Sequence, residues 1–475
     1  MRPSRLPSTC RIAPGLADRT GECSMPWRRG GSEDVEVPGS DPEIVAGIQR
    51  IARPLTSRDE LDPLLDAIGD ARFVLLGEAS HGTSEFYTWR AEISKRLIEE
   101  KGFSFIAVEG DWPDCYRVNR YVRHLPHSGG SAQEVLHAFE RWPTWMWANR
   151  EIAELTEWLH AHNGAVDSGE HVGFYGLDVY SLWDSMHAVV GYLEKFDAGL
   201  AVLAKRAYAC FEPYGEDVQE YARASAFVPY SCEDDVVRVL RELRDSKPLF
   251  RDDGPEGYFN AEQNALVAKN AELYYRTMVR GGPSSWNVRD RHMVETLDRL
   301  MQHRGSSAKA IVWEHNTHIG DARFTDMARA GMVNVGQLVR QANASGDVRL
   351  IGFGTHRGTV IASDEWGAPM ERMRVPAARS TSFEEALFDA GIGDSLLIFD
   401  GSDNGGVPGL DEPIGHRAIG VVYDPEHERW GNYVPTIIPR RYDAFAYIEE
   451  TRAVDPLHMP AKIDGEAPET YPSGV

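Results

Sequence analysis

Acidic and imidazole side chains follow a short apolar run near residue 75. The stretch "FVLLGEASHGTSEFY", from Phe73 to Tyr87, places Glu78 and His81 directly after that run. The following residues, "SEFYTWRAEISKRLIEE", repeat apolar positions at helical spacing, so His81 is expected at a helix N-terminus, where the dipole favours the neutral imidazole. A neutral imidazole is a general base that Glu78 can orient. Arg90, further along the same helix, could bind a substrate carboxylate or a developing oxyanion, although a solvent-exposed arginine is the default at such a position.

Similar side chains follow the other apolar runs. In open parallel sheets, ligands bind beyond the carboxyl ends of the strands, because all of those loops open on one side. The sequence therefore predicts one cleft that collects these groups, although a helix cap is the favoured interpretation of Asp178. The residues so placed are Glu109, Asp111, Asp178, Glu314, His315, His318, His356 and Arg357.

Strands and helices must position these groups, and the sequence shows continuous apolar runs separated by helical patterns. Such runs are typical of buried parallel strands, so the predicted fold is α/β, a three-layer, mostly parallel sheet with helices on both faces. The predicted strands are "RFVLLG" at 72, "FSFIAVEG" at 103, "VGFYGLD" at 172, "AIVWEHN" at 310, "RLIGFGTH" at 349, "SLLIFDG" at 395 and "AIGVVYD" at 418.

The chain is expected to divide into several parts. Residues 1–40 are rich in Pro, Gly, Ser and Arg and predict a disordered leader without a secretion signal. Residues 41–184 and 301–460 are predicted to form the α/β core. Between them, residues 185–300 show apolar spacings of three and four and predict an inserted helical lobe. Residues 461–475 are read as a tail.

Composition excludes several classes of protein. The 475 residues include 50 Lys and Arg against 73 Asp and Glu, a formal net charge of −23, which is unfavourable for binding nucleic acid or an anionic membrane. No apolar run is long enough to span a bilayer. The five cysteines are scattered without a CxxC pair, which indicates neither a disulfide scaffold nor a thiolate zinc site and favours a reducing cytoplasm. The oligomeric state is left open.

Three chemistries compete for the predicted cleft. Ser80 as a nucleophile would need a GxSxG elbow, but Glu78 stands at the first glycine. A metal hydrolase could use His81, His315 and His318 with Glu109, although "HNTH" is not the HExxH spacing. Hydrolysis without a metal or cofactor, in which histidine and glutamate activate water, needs only the groups already present and is the favoured prediction.

Five segments carry a family resemblance. They are "LLGEASHGTSEFYTWR", "FIAVEGDWPDCYRVNRYV", "RWPTWMWANREIAELTEWLHAHN", "WEHNTHIGDAR" and "RAIGVVYDPEHERWGNYVPTIIPRRYDAF". From about Leu61 to about Leu457 the chain resembles the erythromycin esterase family, whose characterised members open a macrolide lactone without a metal or a covalent serine intermediate. The resemblance implies a three-layer α/β core with a helical lobe forming one wall of the cleft.

The resemblance also assigns roles. It places the general base on His81, the motif glutamates on Glu78 and Glu109, and the second-motif histidines on His315 and His318. The segment "NVRDRHMVETL" is similar to the family's RDxxM element, which leaves Arg289 or Arg291 facing the site. The catalytic residues predicted are His81, Glu78, Glu109, His315 and His318, and the substrate-binding residues are Arg90, Arg289, Glu314, His356 and Trp112.

The predicted function is hydrolysis of a small-molecule ester or lactone in the cytoplasm. Glu314 departs from the small residue of the macrolide-active members, so a macrolide substrate does not follow. Trp142, Trp145 and Trp147 could stack on a ligand, but core packing is favoured. A metal-dependent hydrolase, a metal- or haem-binding protein and a non-catalytic binding protein remain as alternatives.

Overall fold

A mostly parallel sheet forms the centre of the protein. The structure, a computed structural model, describes residues 41–126, 128–214, 218–227, 231–246, 254–278 and 282–457, all within one compact unit. The predicted leader and tail lie outside the described residues. The described strands are β1 Arg53–Pro54, β2 Phe73–Leu76, β3 Phe105–Asp111, β4 Gly173–Asp178, β5 Ala310–Trp313, β6 Val348–Ala362, β7 Glu371–Val375, β8 Ser395–Ile398, β9 Ile414–Arg417, β10 Tyr433–Thr436 and β11 Ala444–Thr451.

The strand order confirms the predicted mostly parallel α/β sheet. Within the described residues the sheet has nine strands in the order β1-β8-β11-β6-β2-β5-β3-β4, with β7 paired to β6. The six strands from β11 to β4 run parallel to one another, whereas β1, β7 and β8 pair antiparallel. Strands β9 and β10 form a separate antiparallel pair.

Both faces of the sheet are buried. In β2, Val74 and Leu76 belong to one hydrophobic cluster and Phe73 and Leu75 to another, because successive side chains of a strand point to opposite faces. Each cluster includes residues of the helices that cover that face. Burial on both sides explains why the strands read as continuous apolar runs.

Helices connect the parallel strands and cover the sheet. They are α1 Pro42–Ile51, α2 Asp62–Ile68, α3 Ser84–Lys101, α4 Trp112–Val122, α5 Ala132–Leu136, α6 Arg150–Gly164, α7 Leu182–Phe196, α8 Ala198–Tyr208, α9 Val218–Phe227, α10 Glu233–Asp245, α11 Gly254–Met278, α12 Ser284–Arg304, α13 Asn316–Ile319, α14 Val335–Ala342, α15 Phe383–Asp389, α16 Glu428–Gly431 and α17 Ile438–Arg441. Short 3₁₀ helices cover Arg58–Leu61, Thr144–Met146, Ser168–Glu170, Ala209–Tyr214, Ala322–Phe324 and Asp326–Ala328.

The segment between β4 and β5 is helical in its described parts. Residues of α7, α8, α10 and α11 form a hydrophobic cluster of their own. Cys210 and Cys232 form a disulfide there, with Cα atoms 5.8 Å apart, and Cys115 is free and buried. The scattered cysteines did not predict this pairing, which removes part of the support for a reducing compartment. The predicted division into core segments and an inserted lobe stays a prediction.

One predicted strand was wrong, and a central strand was missed. "AIGVVYD" is not a strand: β9 ends at Arg417, and the residues after it cross the end of the sheet, where the Ile419 N–H donates to the Ala79 carbonyl at 2.8 Å. Strand β11, which the sequence did not predict, lies between β6 and β8. Its apolar run ends in the charged pair Glu449 and Glu450, which obscures the signal.

Candidate active site

A cavity that is partly open to solvent lies beyond the carboxyl ends of the parallel strands. Five of the predicted site residues line it, namely His81, Glu109, Arg289, His315 and His318. They come from three separate strand ends and from α12, as expected where parallel strands end at one edge.

His81 is held by a buried chain of charged groups. Its Nδ1 lies 2.9 Å from Glu78 Oε1, and the other oxygen of Glu78 accepts a hydrogen bond from Arg90 at 2.5 Å. The Arg90 guanidinium lies over the rings of Tyr87 and Trp313, with its Cζ 4.6 and 4.7 Å from their centroids. With Nδ1 donating to Glu78, the opposite nitrogen, Nε2, is the one that can accept a proton.

Close backbone packing shapes the turn that carries His81. A Cβ on Gly82 would lie 2.0 Å from the Ile361 carbonyl oxygen, so only glycine fits at this position. The Ser80 hydroxyl hydrogen-bonds the Thr83 hydroxyl, and Ser80 does not line the cavity. The turn therefore presents His81, and not Ser80, to the cavity.

Glu109 joins the ends of β3 and β5. Its Oε2 accepts the backbone N–H of His315 at 2.8 Å, and its Oε1 accepts from Arg289 at 2.7 Å. Burial by itself would raise the pKa of Glu109, but the neighbouring His318 and Arg289 hold that pKa below its usual range. Glu109 is therefore ionised at neutral pH and positions both a histidine and an arginine.

His315 lies beside His81, with ring centroids 4.9 Å apart. Its Nδ1 accepts the backbone N–H of Thr317 at 3.2 Å, so the proton of the neutral ring is on Nε2. No described residue hydrogen-bonds that Nε2 atom. Burial and the charge of His81 lower the pKa of His315 well below its ordinary value. His315 is thus a neutral hydrogen-bond donor.

Two carboxyl groups, those of Asp290 and Glu109, lie close to the His318 ring. Its Nδ1 lies 3.0 Å from Asp290 Oδ1, its Nε2 lies 3.5 Å from Glu109 Oε1, and its ring stacks on Trp286 at 4.5 Å. Burial lowers the pKa of His318, but Asp290 and Glu109 outweigh burial and raise it above its ordinary value. The two histidines of "HNTH" therefore differ in charge tendency despite being three residues apart.

Arg289 links the third strand end to the site. It makes a bidentate pair with Asp178, at 3.0 Å from Nε and 2.7 Å from Nη2, and its Nη1 lies 3.1 Å from His318 Nε2. Of the two arginines that the sequence left open, Arg289 faces the cavity and Arg291 is exposed. Asp178, for which a helix cap was favoured, also accepts the Val179 N–H at 2.8 Å.

The other predicted substrate-binding residues do not reach the cavity. Arg90 is fully buried behind Glu78. His356 pairs with Glu385 at 2.9 Å and stacks on Phe388. Trp112 stacks on Tyr116 and Tyr175 in the core. Glu314 is fully buried beneath the site. The structure therefore does not place the side chains of Arg90, Glu314, His356 and Trp112 against a substrate in this cavity. This finding corrects their predicted placement in the cleft.

Glu314 has an unusual environment. Both of its carboxylate oxygens are buried without a hydrogen-bond partner among the described residues. Burial, reinforced by the charges of Glu109 and Asp290, raises the pKa of Glu314 well above its ordinary range. The folded protein therefore keeps the Glu314 proton to a higher pH than the unfolded chain does.

Replacing Glu314 with glutamine should increase the free energy of unfolding more at pH 8 than at pH 5. The unfolded chain releases the Glu314 proton above about pH 4.3, whereas the folded protein keeps it, so wild-type stability falls by up to about 1.4 kcal/mol per pH unit between the two pKa values. Glutamine has no proton to lose. Urea denaturation of both proteins at the two pH values measures the effect, and an equal difference at both would contradict it.

Several residues that line the cavity were not predicted. Trp286 and Arg141 lie on its wall, as does Tyr180, two residues after Asp178. Gly420 and Val421 come from the run misread as a strand. Each of these residues follows or faces a strand end, and that position is the indication that they could line the cavity. Nothing in their local sequence distinguishes them from packing residues.

The tryptophans of "RWPTWMWANRE" are mainly structural. All three are buried. Trp147 also lines the cavity, where its Nε1 donates to the Glu109 carbonyl at 3.0 Å. Trp142 packs on Trp366, with ring centroids 4.6 Å apart. This packing agrees with the favoured interpretation of the segment.

The described residues contain neither a cluster arranged for a metal ion nor a membrane-spanning helix. Within the described ranges, no group of three or more His, Cys, Asp or Glu side chains is arranged to hold a metal ion. The Nδ1 atoms of His81, His315 and His318 already have partners. Among the same residues, no helix is long and apolar enough to cross a membrane.

The chain is similar to several known proteins. It is 22% identical over 373 residues to erythromycin esterase type II of Escherichia coli, which covers 74% of this chain and 86% of that protein. It is also 22% identical over 296 residues to the putative hydrolase YbfO of Bacillus subtilis (strain 168), covering 57% of this chain and 62% of that protein.

Solved structures share the fold. A succinoglycan biosynthesis protein aligns with a TM-score of 0.69 at 22% identity, over 90% of this chain and 100% of that one. A mutant of the erythromycin esterase EreC in its open conformation aligns with a TM-score of 0.60 at 18% identity, over 83% and 94%. These alignments confirm the α/β architecture.

The family assignment follows from a longer match. The family model described as Erythromycin esterase matches residues 98–451, which includes Glu109, Arg289, His315 and His318 and begins after His81. Well over half of the 475 residues are matched, which confirms the resemblance seen in the motifs. This chain belongs to the erythromycin esterase family, and that membership supports a hydrolase function.

Proposed function

We propose that the protein hydrolyses a carboxylic ester or lactone with a water molecule activated by His81. The observation that carries the proposal is the buried chain from Arg90 through Glu78 to His81 Nδ1, which leaves His81 Nε2 as the proton acceptor beside the cavity. An imidazole held in this way by a carboxylate is a suitable general base near neutral pH. The relatives named as an erythromycin esterase and a putative hydrolase agree with this class of reaction.

The proposed reaction needs no covalent intermediate. His81 Nε2 takes a proton from water as the water oxygen attacks the carbonyl carbon. The imidazolium, stabilised by Glu78, then gives that proton to the leaving alkoxide as the carbon–oxygen bond breaks. The products are a carboxylic acid and an alcohol. The Ser80 hydroxyl, which is bonded to Thr83 away from the cavity, takes no part.

The developing oxyanion needs hydrogen-bond donors opposite His81. His315 Nε2–H is buried beside His81 and has no partner among the described residues. His318, whose pKa is raised, and Arg289 add positive charge to the same wall. Donors that are already oriented in a buried site stabilise an oxyanion strongly. Glu109 holds His315 and Arg289 in place.

Metal-free hydrolysis, metal-dependent hydrolysis and non-catalytic binding predict different results when metal is removed. A metal-dependent hydrolase would use the same histidines as ligands, and a non-catalytic protein would bind without turnover. The test is hydrolysis of a panel of esters and lactones, including a macrolide, by protein treated with EDTA. We expect the chelated enzyme to keep its full rate. Loss of activity that added metal restores would contradict metal-free hydrolysis, and saturable binding of panel compounds without turnover would favour the binding protein.

A further inference from the structure

Two acidic side chains line the cavity beyond the catalytic groups. Asp111 is the last residue of β3, two residues after Glu109, which separates their Cα atoms by about 7 Å along the strand. Asp114 follows in the first turn of α4. Both residues line the cavity, and their side chains are largely buried, with 6% and 13% exposure. We call this pair the carboxylate end of the cavity, and the proposed reaction uses neither residue.

One carboxylate oxygen of Asp111 has no hydrogen-bond partner among the described residues. Its Oδ2 accepts a hydrogen bond from Arg141 at 2.5 Å, but its Oδ1 is buried without a partner among the described residues. Asp111 is the N-cap residue of α4, yet its side chain makes no capping hydrogen bond. A buried carboxylate oxygen without a donor is costly, so its position at a cavity wall points to a donor that a ligand supplies.

The charges at the carboxylate end favour a positive ligand. Four carboxyl groups line the cavity as a whole, against two guanidinium groups and His318, whose pKa is raised. Arg289 pairs with Glu109 and Asp178 at the catalytic end, which leaves Arg141 as the guanidinium that lines the carboxylate end. The four carboxyl groups are Glu109, Asp111, Asp114 and Asp178.

The raised pKa of Asp114 reflects the excess of negative charge at the carboxylate end. Burial and the nearby charge of Asp111 raise the pKa of Asp114 to about 7. Its pair with Arg117, at 3.2 Å, is weak because the Arg117 side chain is 52% exposed to solvent. Both carboxyl groups are largely shielded from solvent. A cation bound here would supply the favourable charge interaction that water does not.

Aromatic rings complete the wall. The Tyr180 ring lies 4.9 Å from the Cζ atoms of both Arg141 and Arg289, so it spans the two ends of the cavity. Trp366 and Phe139 also line the cavity. Ring faces attract alkylammonium groups, and together with carboxylates they favour an organic cation over a strongly hydrated inorganic one.

We propose that the carboxylate end of the cavity binds a cationic amine of the substrate, so that the preferred substrates are esters or lactones with an ammonium group a few bonds from the carbonyl. The inference rests on the proposed function, since it names the substrate class of the same site. An N–H group of the protonated amine donates to Asp111 Oδ1, and the ammonium charge lies against Asp114. The reacting carbonyl lies beside His81.

The test compares two phenyl esters of equal shape. One is phenyl 4-(dimethylamino)butanoate, which is protonated at neutral pH, and the other is its neutral isostere, phenyl 5-methylhexanoate, each corrected for its rate of hydrolysis without enzyme. We expect kcat/KM to favour the cationic ester by about tenfold or more in the wild type, the size of one charge-assisted contact. The ratio should fall towards one in Asp111→Asn and in Asp114→Asn. The exposed Asp424→Asn is the matched control, and its ratio should equal that of the wild type.

The outcomes separate the inference from the proposed function. Equal rates for the two esters in the wild type, or an unchanged ratio in both carboxylate variants, would overturn the inference while leaving hydrolysis intact. If the wild type hydrolyses neither ester, the two binding hypotheses are compared by calorimetric titration with 2-(dimethylamino)ethanol, which is protonated at neutral pH, and with its neutral isostere 3-methylbutan-1-ol. Saturable binding of the amine alone, weakened in Asp114→Asn, would support the cation site, and no preference for the amine would reject it.

Discussion

Replacing His81 with alanine is expected to reduce ester hydrolysis by about 100-fold or more without changing the free energy of unfolding by more than about 1 kcal/mol. The loss follows because Nε2 of His81 is the proposed proton acceptor. His315 has its proton on Nε2. His318 also has a carboxylate at Nδ1, but its Nε2 lies beside Arg289 and Glu109. The measurement is kcat/KM for the best ester of the panel, with urea denaturation as the check on folding.

The neighbours of His81 allow a graded version of this experiment. Glu78→Gln keeps the shape of the side chain but removes the charge that stabilises the imidazolium, so kcat should fall by about 10-fold or more, with less change in KM. His427→Ala is the control, because His427 is an exposed histidine that pairs only with Asp424 among the described residues. A His81→Ala protein that is folded and hydrolyses at the wild-type rate would remove His81 from the mechanism.

Replacing Arg289 with methionine is expected to lower the free energy of unfolding by about 3–5 kcal/mol at pH 7, as well as activity. Methionine keeps much of the volume but leaves Glu109 and Asp178 as buried carboxylates without their shared cation. Burial raises the pKa of both groups when it acts alone, and Arg289 helps to hold both pKa values below their usual range. Without Arg289, ionising either group in the folded state becomes unfavourable.

The pH dependence distinguishes lost charge pairing from lost packing. In the variant the two carboxyl groups can be protonated, whereas in the wild type they stay ionised, so the stability difference should shrink as the pH falls from 7 towards about 4. Arg291→Met changes the exposed arginine two residues along the same helix and should alter stability by no more than about 0.5 kcal/mol. A difference between wild type and Arg289→Met that does not change with pH would indicate a packing effect.

Residue type and position relative to the strands made much of the site predictable. Glu109 and His315 each follow an apolar run, and the carboxyl ends of parallel strands meet at one edge. Glu78 and His81 share one short turn, so their contact required no long-range information. For these residues, local sequence and the rule for open sheets were sufficient to predict that they meet, although their catalytic roles stay predictions.

Side-chain direction was not predictable in the same way. Glu314 and His315 are adjacent in the sequence, but His315 lines the cavity, whereas Glu314 is buried away from it. Successive residues of a strand point to opposite faces of the sheet. Where the strand breaks determines which of two adjacent residues faces the cavity. His356, also placed after an apolar run, lies within the long strand β6 and packs against α15 instead.

The sequence by itself determined the fold class, the identity of the charged groups at the strand ends and the family. Those properties depend on patterns within a few tens of residues, where apolar periodicity and motif spacing act. The tertiary structure alone decided that Arg289 and not Arg291 meets Asp178, 111 residues away, and that Asp111 Oδ1 has no partner within the part of the chain that the structure describes. Contacts between distant segments depend on how helices pack onto the sheet, and local sequence carries no direct record of that packing.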